Sequence, residues 1–171
     1  DAADLWISGN ASSNANGGVR VTTFGAVGST TQVSATITNT RALGIFGNQL
    51  YVSANVATPA TIDLATVGSG VSTATGQTIT KLPGFPDALG ISIDSHQFFF
   101  ADLDASVAGM DTVYIADEGA TAGIRKFTLA GGTWSHTGNF ALGGGRAIRG
   151  LTGTVSGTTA TLYFTSNSSS S

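Results

Sequence analysis

A short segment with one central aromatic residue occurs four times along the chain and constrains its fold more than any other feature. The copies are DLWISGN at 4–10, QLYVSAN at 49–55, TVYIADE at 112–118 and TLYFTSN at 161–167. Their aromatic residues are Trp6, Tyr51, Tyr114 and Tyr163, which are 45, 63 and 49 residues apart. Repeats of about 40–50 residues are typical of propeller blades. Two of the spacings fit that period, and the longest predicts extra residues within 84–111.

Further strand candidates occur in phase with this aromatic segment. Stretches that alternate apolar and polar residues follow the first three copies at 18–25, 60–68 and 123–132, and each contains or ends in glycine. Another candidate follows each of these, and one more precedes three of the copies, at 41–48, 96–102 and 146–155. Such alternation, interrupted by glycine, is typical of half-buried strands joined by tight turns. The repeating unit is therefore predicted to have four antiparallel strands, with the aromatic segment as the second.

Four-stranded units at this period predict an all-β chain that forms part of a β-propeller, with about three to four blades. The predicted divisions are a partial blade at 1–40, a blade at 41–83, a blade with an insertion at 84–142 and a partial blade at 143–171. Because the chain opens and closes within a blade, we expect it to be part of a longer propeller. A β-sandwich or an open array of β-repeats is the alternative.

The stretch VYIADEG, followed by GIRKFTL at 123–129, resembles the NHL-type propeller repeat. The whole chain also resembles a family of large secreted bacterial propeller proteins, mostly of unknown function. The matching stretches include GNQLYVS, LPGFP, FFFADLDASVAGMDTVYIADEG, IRKFTLAGGTW and RGLTGTVSGTTATLYFTS. These resemblances imply a propeller fold and secretion, and they imply no activity.

The composition excludes several classes of function. Charged residues make up 10% of the chain, against about 25% in an ordinary soluble domain. Lys and Arg total 7, which is too few for a basic nucleic-acid-binding surface. There is no cysteine, and no apolar run reaches the roughly 18 residues that a membrane span needs. We expect an extracellular or cell-surface protein, with the periplasm as the alternative compartment.

The acidic residues offer two candidate sites. Asp117 and Glu118 form a carboxylate pair, but the other three copies carry no such pair, so we expect Asp117 to cap a turn rather than to catalyse. Asp102, Asp104 and Asp111 lie in the most acidic segment, at 101–111. Oxygen ligands at alternating positions suit calcium, although the spacing is not that of an EF-hand loop. Calcium bound by these three residues and carboxylates that cap backbone amides are the two hypotheses.

The histidines and arginines predict structural roles. His96 and His136 have no acidic residue at helical ligand spacing, which argues against zinc. Arg146 and Arg149 precede or begin the last strand candidate, and Arg41 has the equivalent place in an earlier one. We expect these arginines to pair with an Asp of a neighbouring blade rather than to line a channel. The three consecutive phenylalanines at 98–100 predict a strand covered on both faces.

We expect a module for binding or assembly that is not an enzyme, with no cofactor other than the predicted calcium. Its partner would be another protein, the remainder of the same chain or a second copy, recruited through open strand edges. Two alternatives are a propeller enzyme, such as a calcium-dependent lactonase or lyase, and an adhesin-like structural protein. An enzyme would need acidic and polar ligands from several blades, whereas the predicted acids cluster in one repeat.

Overall fold

The computed structural model describes residues 3–56, 62–85, 93–119, 123–142 and 146–166. In these ranges the chain forms thirteen strands and no helix. The strands are β1 (Asp4–Ile7), β2 (Val19–Thr23), β3 (Thr31–Ser34), β4 (Thr40–Phe46), β5 (Gln49–Val56), β6 (Ile62–Val67), β7 (Ile79–Lys81), β8 (Ser95–Ala101), β9 (Thr112–Asp117), β10 (Gly123–Ala130), β11 (Thr133–Phe140), β12 (Ile148–Ser156) and β13 (Thr159–Ser166).

The strands form four antiparallel sheets in chain order. Their orders are β1-β2-β3, β4-β5-β6-β7, β11-β10-β9-β8 and β12-β13. The predictions of an all-β chain and of four-stranded units are therefore confirmed, while the described residues do not close into a propeller. The four predicted divisions include segments 1–2, 57–61, 86–92, 120–122, 143–145 and 167–171, which lie outside the described residues.

The four aromatic segments occupy equivalent strand positions. Tyr51 and Tyr114 lie on the second strands of the two four-stranded sheets, opposite Thr66 and Lys126 on the following strands. Trp6 pairs with Val21 on the strand that follows it. Tyr163 lies on β13 and pairs with Thr152 on the strand before it, as a second strand should. The sequence repeat is thus a structural repeat in the described residues.

Tight turns join the predicted hairpins. Gly47 and Asn48, between β4 and β5, both have positive φ angles, of 52° and 60°. Gly131 and Gly132, between β10 and β11, have φ angles of 56° and 78°. Positive φ at both central residues of a two-residue turn matches the twist of an antiparallel hairpin. Glycine and asparagine tolerate this backbone conformation, which explains their place in each turn.

The chain divides into two compact units, Asp1–Lys81 and Leu82–Ser171. In the first unit, apolar residues of the β1–β3 sheet and of the β4–β7 sheet form one buried cluster. Val19, Val33, Leu50 and Val52 are fully buried in it, and Trp6 packs against it. The indole Nε1 of Trp6 also donates a hydrogen bond to the carbonyl oxygen of Ser72, 3.1 Å away.

The sheet β8–β11 of the second unit has both faces covered. On one face, Phe100 packs edge-on against Trp134, and Phe85 stacks on Phe127 with ring centroids 4.2 Å apart. On the other face, residues of β9 and β10 pack against Ile148 and Leu151 of β12, and half-buried Phe99 joins this cluster. The prediction that the three phenylalanines lie on a strand covered on both faces is confirmed.

Candidate functional site

Asp117 ends β9 and binds its surroundings through both carboxylate oxygens. Oδ1 accepts hydrogen bonds from the backbone N–H of Gly119 at 2.8 Å and of Asp94 at 3.0 Å. Oδ2 lies 2.8 Å from Nε of Arg125, and this ion pair is almost completely buried. The expected turn-capping role of Asp117 is confirmed. Since all of these contacts are internal, Asp117 is a structural residue.

Glu118, its neighbour, has a different environment. Its Oε2 lies 2.7 Å from Nε2 of His96, and its Oε1 accepts a hydrogen bond from the guanidinium of Arg149. The Glu118 and His96 side chains are 22% and 18% exposed, so solvent and ligands can reach both. Asp94 completes a group in which one ligand atom from each of Asp94, His96 and Glu118 lies within 4.8 Å of the others. We call these three residues the Asp94–His96–Glu118 cluster.

The register of β8 against β9 brings the cluster together. Ser95 pairs with Asp117, and the N–H of Glu118 donates to the carbonyl of Asp94 at 3.0 Å, so Asp94 and Glu118 face each other at the strand ends. His96, on β8, reaches the same point, because its Nε2 lies 2.7 Å from Oε2 of Glu118. Sequence reasoning missed this cluster because it sought acids at helical spacing from each histidine. The sequence does contain a pattern that indicates the cluster: one acidic residue directly precedes the first strand of a predicted hairpin, and another directly follows the second strand.

Arg149 sets the electrostatics of the cluster. Its hydrogen bond is the main cause that holds the pKa of Glu118 below its ordinary value of 4.5; partial burial opposes this shift, and His96 supports it. The same contact raises the pKa of Arg149, with Asp94 adding a smaller contribution. Glu118 is therefore a carboxylate at neutral pH. It is a potential ion ligand and a poor general acid.

Arg149 begins the β12–β13 sheet and bonds an acid of the preceding sheet, as predicted for an arginine at this place. The acid is Glu118 rather than the expected Asp. Arg146 is exposed ahead of β12, and Arg41 lies half-buried on β4. The pairing predicted for the latter two stays a prediction.

Two of the three residues predicted to bind calcium, Asp104 and Asp111, cap the loop between β8 and β9. Asp111 is buried; its Oδ2 accepts the backbone N–H groups of Leu103 and Asp104 at 2.8 Å and 2.7 Å, and its Oδ1 accepts the hydroxyl of Thr112. Asp104 accepts both the N–H and the hydroxyl of Ser106 through Oδ1. These contacts match the capping alternative.

Asp102 is exposed on the same loop. Within the described parts of the chain, Asp102, Asp104 and Asp111 are not gathered as a group of mutually close ligand atoms, in contrast to the Asp94–His96–Glu118 cluster. Calcium at these three residues stays a prediction.

A second candidate site is an apolar groove in the second unit. It has a volume of about 450 Å³ and lies between the face of β9–β11 and strand β13. Its apolar lining comes from Tyr114, Ile124, Phe140, Leu162 and Phe164. Phe140 is 56% exposed and Phe164 is 39% exposed, and their rings lie 6.2 Å apart. We call this feature the β13 groove.

The β13 groove lies along the open edge of β13. Within the described residues, β13 pairs with β12 alone, whereas β5 and β9 pair with strands on both sides. Backbone N–H and C=O groups along such an edge can pair with another strand. The groove and the edge together form a surface suited to an extended peptide segment.

None of the described residues forms a helix long and apolar enough to cross a membrane. Comparisons with protein families, with curated proteins and with solved structures found nothing that matches the chain.

Proposed function

We propose that the chain is a non-catalytic β-propeller module of a secreted or cell-surface protein, and that it binds a protein segment by strand addition along β13. The observation that carries this proposal is the apolar β13 groove beside an open strand edge. In this proposal the four sheets are blades of one propeller. The shared strand order and the equivalent aromatic positions support that arrangement.

The repeat specifies the chemistry of the occupant. In the complete sheets, the strand that follows the aromatic segment is β6 or β10, and its residues alternate between two packed faces. Val113 directly precedes Tyr114, just as Leu162 directly precedes Tyr163. Val113 pairs with Phe127, and both are fully buried. The segment that fits β13 is therefore an extended strand of the β10 type, with a large apolar side chain opposite Leu162.

Binding of such a strand would remove exposed apolar surface of the groove from water. Phe140 and Phe164 both expose apolar area, and burying a Phe side chain contributes about 1.5–3 kcal/mol. Main-chain hydrogen bonds to β13 would supply affinity, and the pocket for the large apolar residue would supply specificity. Lys126 adds a cationic side chain to the groove lining.

Titration with a synthetic peptide of sequence 123–132, GIRKFTLAGG, tests the proposal. We expect saturable binding, weakened by Phe140→Ser and by Phe164→Ser in the protein. Phe24→Ser is the matched control, because Phe24 is 75% exposed and lies outside the groove lining. A peptide with Asp in place of Phe127 should not bind. Equal binding by all variants, or none by the folded wild type, would refute strand addition at this edge.

A further inference from the structure

We propose that the Asp94–His96–Glu118 cluster binds a divalent transition-metal ion, with Zn²⁺ as the representative ion. One imidazole nitrogen and two carboxylate oxygens converge there, within 4.8 Å of one another. Zinc sites in proteins are built from these ligand types, and three protein ligands leave a coordination position for water or another group. This site is separate from the β13 groove and does not depend on the proposed function.

The geometry is close to that of a bound site. Nε2 of His96 and Oε2 of Glu118 lie 2.7 Å apart. With metal–ligand distances of about 2.0–2.2 Å, tetrahedral ligand atoms lie about 3.4 Å from one another. The two side chains therefore need to separate by less than about 1 Å for an ion to replace their direct contact. Small rotations of these partly exposed side chains accommodate a movement of that size.

The backbone around the ligands is held in place. Asp117 accepts the N–H of Asp94, and Glu118 donates its own N–H to the carbonyl of Asp94. His96 lies on β8, while Asp94 directly precedes β8 and Glu118 directly follows β9. The backbone hydrogen bonds at these strand ends therefore hold the three ligands close together.

The choice of ion follows from the ligand set. Calcium and magnesium prefer all-oxygen sites, whereas an imidazole favours zinc and its first-row neighbours. The carboxylates of Asp94 and Glu118 supply two negative charges against the single positive charge of Arg149. Arg149 holds Oε1 of Glu118, which leaves Oε2 directed at His96. Arg149 thus orients the Glu118 carboxylate through Oε1, while its positive charge repels a cation.

Isothermal titration of the metal-free protein with Zn²⁺ at neutral pH tests the site. We expect one equivalent of Zn²⁺ to bind. His96→Gln and Glu118→Gln should each weaken binding by at least about tenfold, because even the loss of a residue that only orients a ligand lowers metal affinity by about 10–100-fold. The visible spectrum of bound Co²⁺ should change in His96→Gln.

His136→Gln is the matched control, because it removes the other histidine of the chain, which lies on β11 and packs edge-on against Phe127 of β10. It should bind Zn²⁺ as the wild type does. Circular dichroism melts of each metal-free variant distinguish loss of a ligand from loss of folding. Asp94→Asn is a further ligand variant of nearly the same shape. Absence of Zn²⁺ binding by the folded wild type would overturn the proposal. Binding that is lost in His136→Gln but kept in His96→Gln would also overturn it.

Discussion

Asp117 and Arg125 form an ion pair in which Oδ2 and Nε lie 2.8 Å apart, and their side chains are 0% and 6% exposed. The pair joins the end of β9 to the start of β10, across the segment that links them. The ion pair also fixes the position of Asp117, whose Oδ1 accepts the backbone N–H groups of Gly119 and Asp94. One carboxylate thus couples the β9–β10 connection to the start of β8 and to the backbone of the Asp94–His96–Glu118 cluster.

Loss of Asp117 should be severe. Asp117→Ala leaves the Arg125 guanidinium buried without its counter-charge, and breaking a buried pair in this way costs about 3–5 kcal/mol. Urea denaturation should show this loss as a lower midpoint. The double variant Asp117→Leu with Arg125→Met should be more stable than Asp117→Ala, because it leaves no isolated charge. A wild-type midpoint for Asp117→Ala would show that the pair contributes nothing.

The packing of β8 on β12 gives a second prediction. A Cβ atom on Gly153 would lie 2.9 Å from two ring carbons of Phe99 and 2.9 Å from the carbonyl oxygen of Thr161. Gly153→Ala should therefore destabilise the protein by about 1–3 kcal/mol, the usual cost of overpacking. Gly9→Ala is the control, since a Cβ there meets nothing within 4 Å. Equal thermal melts for the two variants would contradict this packing.

Phe99 itself should contribute substantially to stability. Phe99→Ala should cost about 3 kcal/mol, the lower end of the range for Phe-to-Ala changes, because the ring is half-buried. The variant with both Phe99→Ala and Gly153→Ala should lose less than the sum of the single losses, since removal of the ring makes room for the new methyl group. Additive losses in denaturant titrations would show that the two residues do not touch.

Glu118 should make the free energy of unfolding depend on pH in the acidic range. Arg149 and His96 lower its folded-state pKa below the ordinary 4.5. The unfolded chain therefore takes up the proton first as pH falls. The stabilisation is fully present above about pH 4.5 and is lost as pH falls through the folded-state pKa. The stability difference between wild type and Glu118→Gln should shrink between neutral pH and about pH 3.

The control for that titration is Asp102→Asn, which changes an exposed acid outside the Asp94–His96–Glu118 cluster. It removes one negative charge without touching Arg149 or His96, so it reports the effect of the changed net charge alone. A constant difference for Glu118→Gln would show that its carboxylate has the same proton affinity in the folded and unfolded chains.

A substitution in the acidic loop between β8 and β9 distinguishes capping from calcium binding. Asp111→Asn should lower stability by about 1–3 kcal/mol, because an amide presents only one acceptor oxygen to three donors. If the carboxylates act as caps, this loss is equal in EDTA and in added calcium. If calcium binds at Asp102, Asp104 and Asp111, EDTA lowers the melting temperature of the wild type and has no effect on Asp111→Asn.

The strand order was predictable because the aromatic segments and turn glycines are local signals. Gly47–Asn48 and Gly131–Gly132 mark hairpins in the sequence itself, and the second-strand place of Tyr51 and Tyr114 follows from the repeat. The turn role of Asp117 was predictable for the same reason, since the Gly119 N–H that it accepts is two residues away. Its partner Arg125 was not identified, because their contact depends on how β9 and β10 are joined.

The candidate sites depend on long-range geometry that local patterns do not show. Glu118 meets His96 because of one register between β8 and β9, which contains an irregularity between Ser95 and Phe98. A shift of one residue would move these side chains to opposite faces. The β13 groove lies between two sheets, and no short pattern encodes how those sheets pack. The predicted calcium acids were visible in sequence, yet their spacing did not reveal that Asp111 points into its own loop.

The central claim, that β13 accepts a strand in the register of the repeat, can be tested by disulfide trapping. The chain has no cysteine, so Tyr163→Cys introduces a single thiol at a side chain that is 58% exposed. Because Tyr114 pairs with Lys126, a GIRKFTLAGG peptide with Cys in place of Lys126 should place its thiol directly opposite position 163. Directly opposite Cβ atoms lie about 4.5–5.5 Å apart, within a small adjustment of disulfide geometry. We expect rapid, Phe164-dependent cross-linking of this peptide and slow cross-linking of one with Cys in place of Phe127. Equal rates for the two peptides, or no cross-link with either, would contradict it.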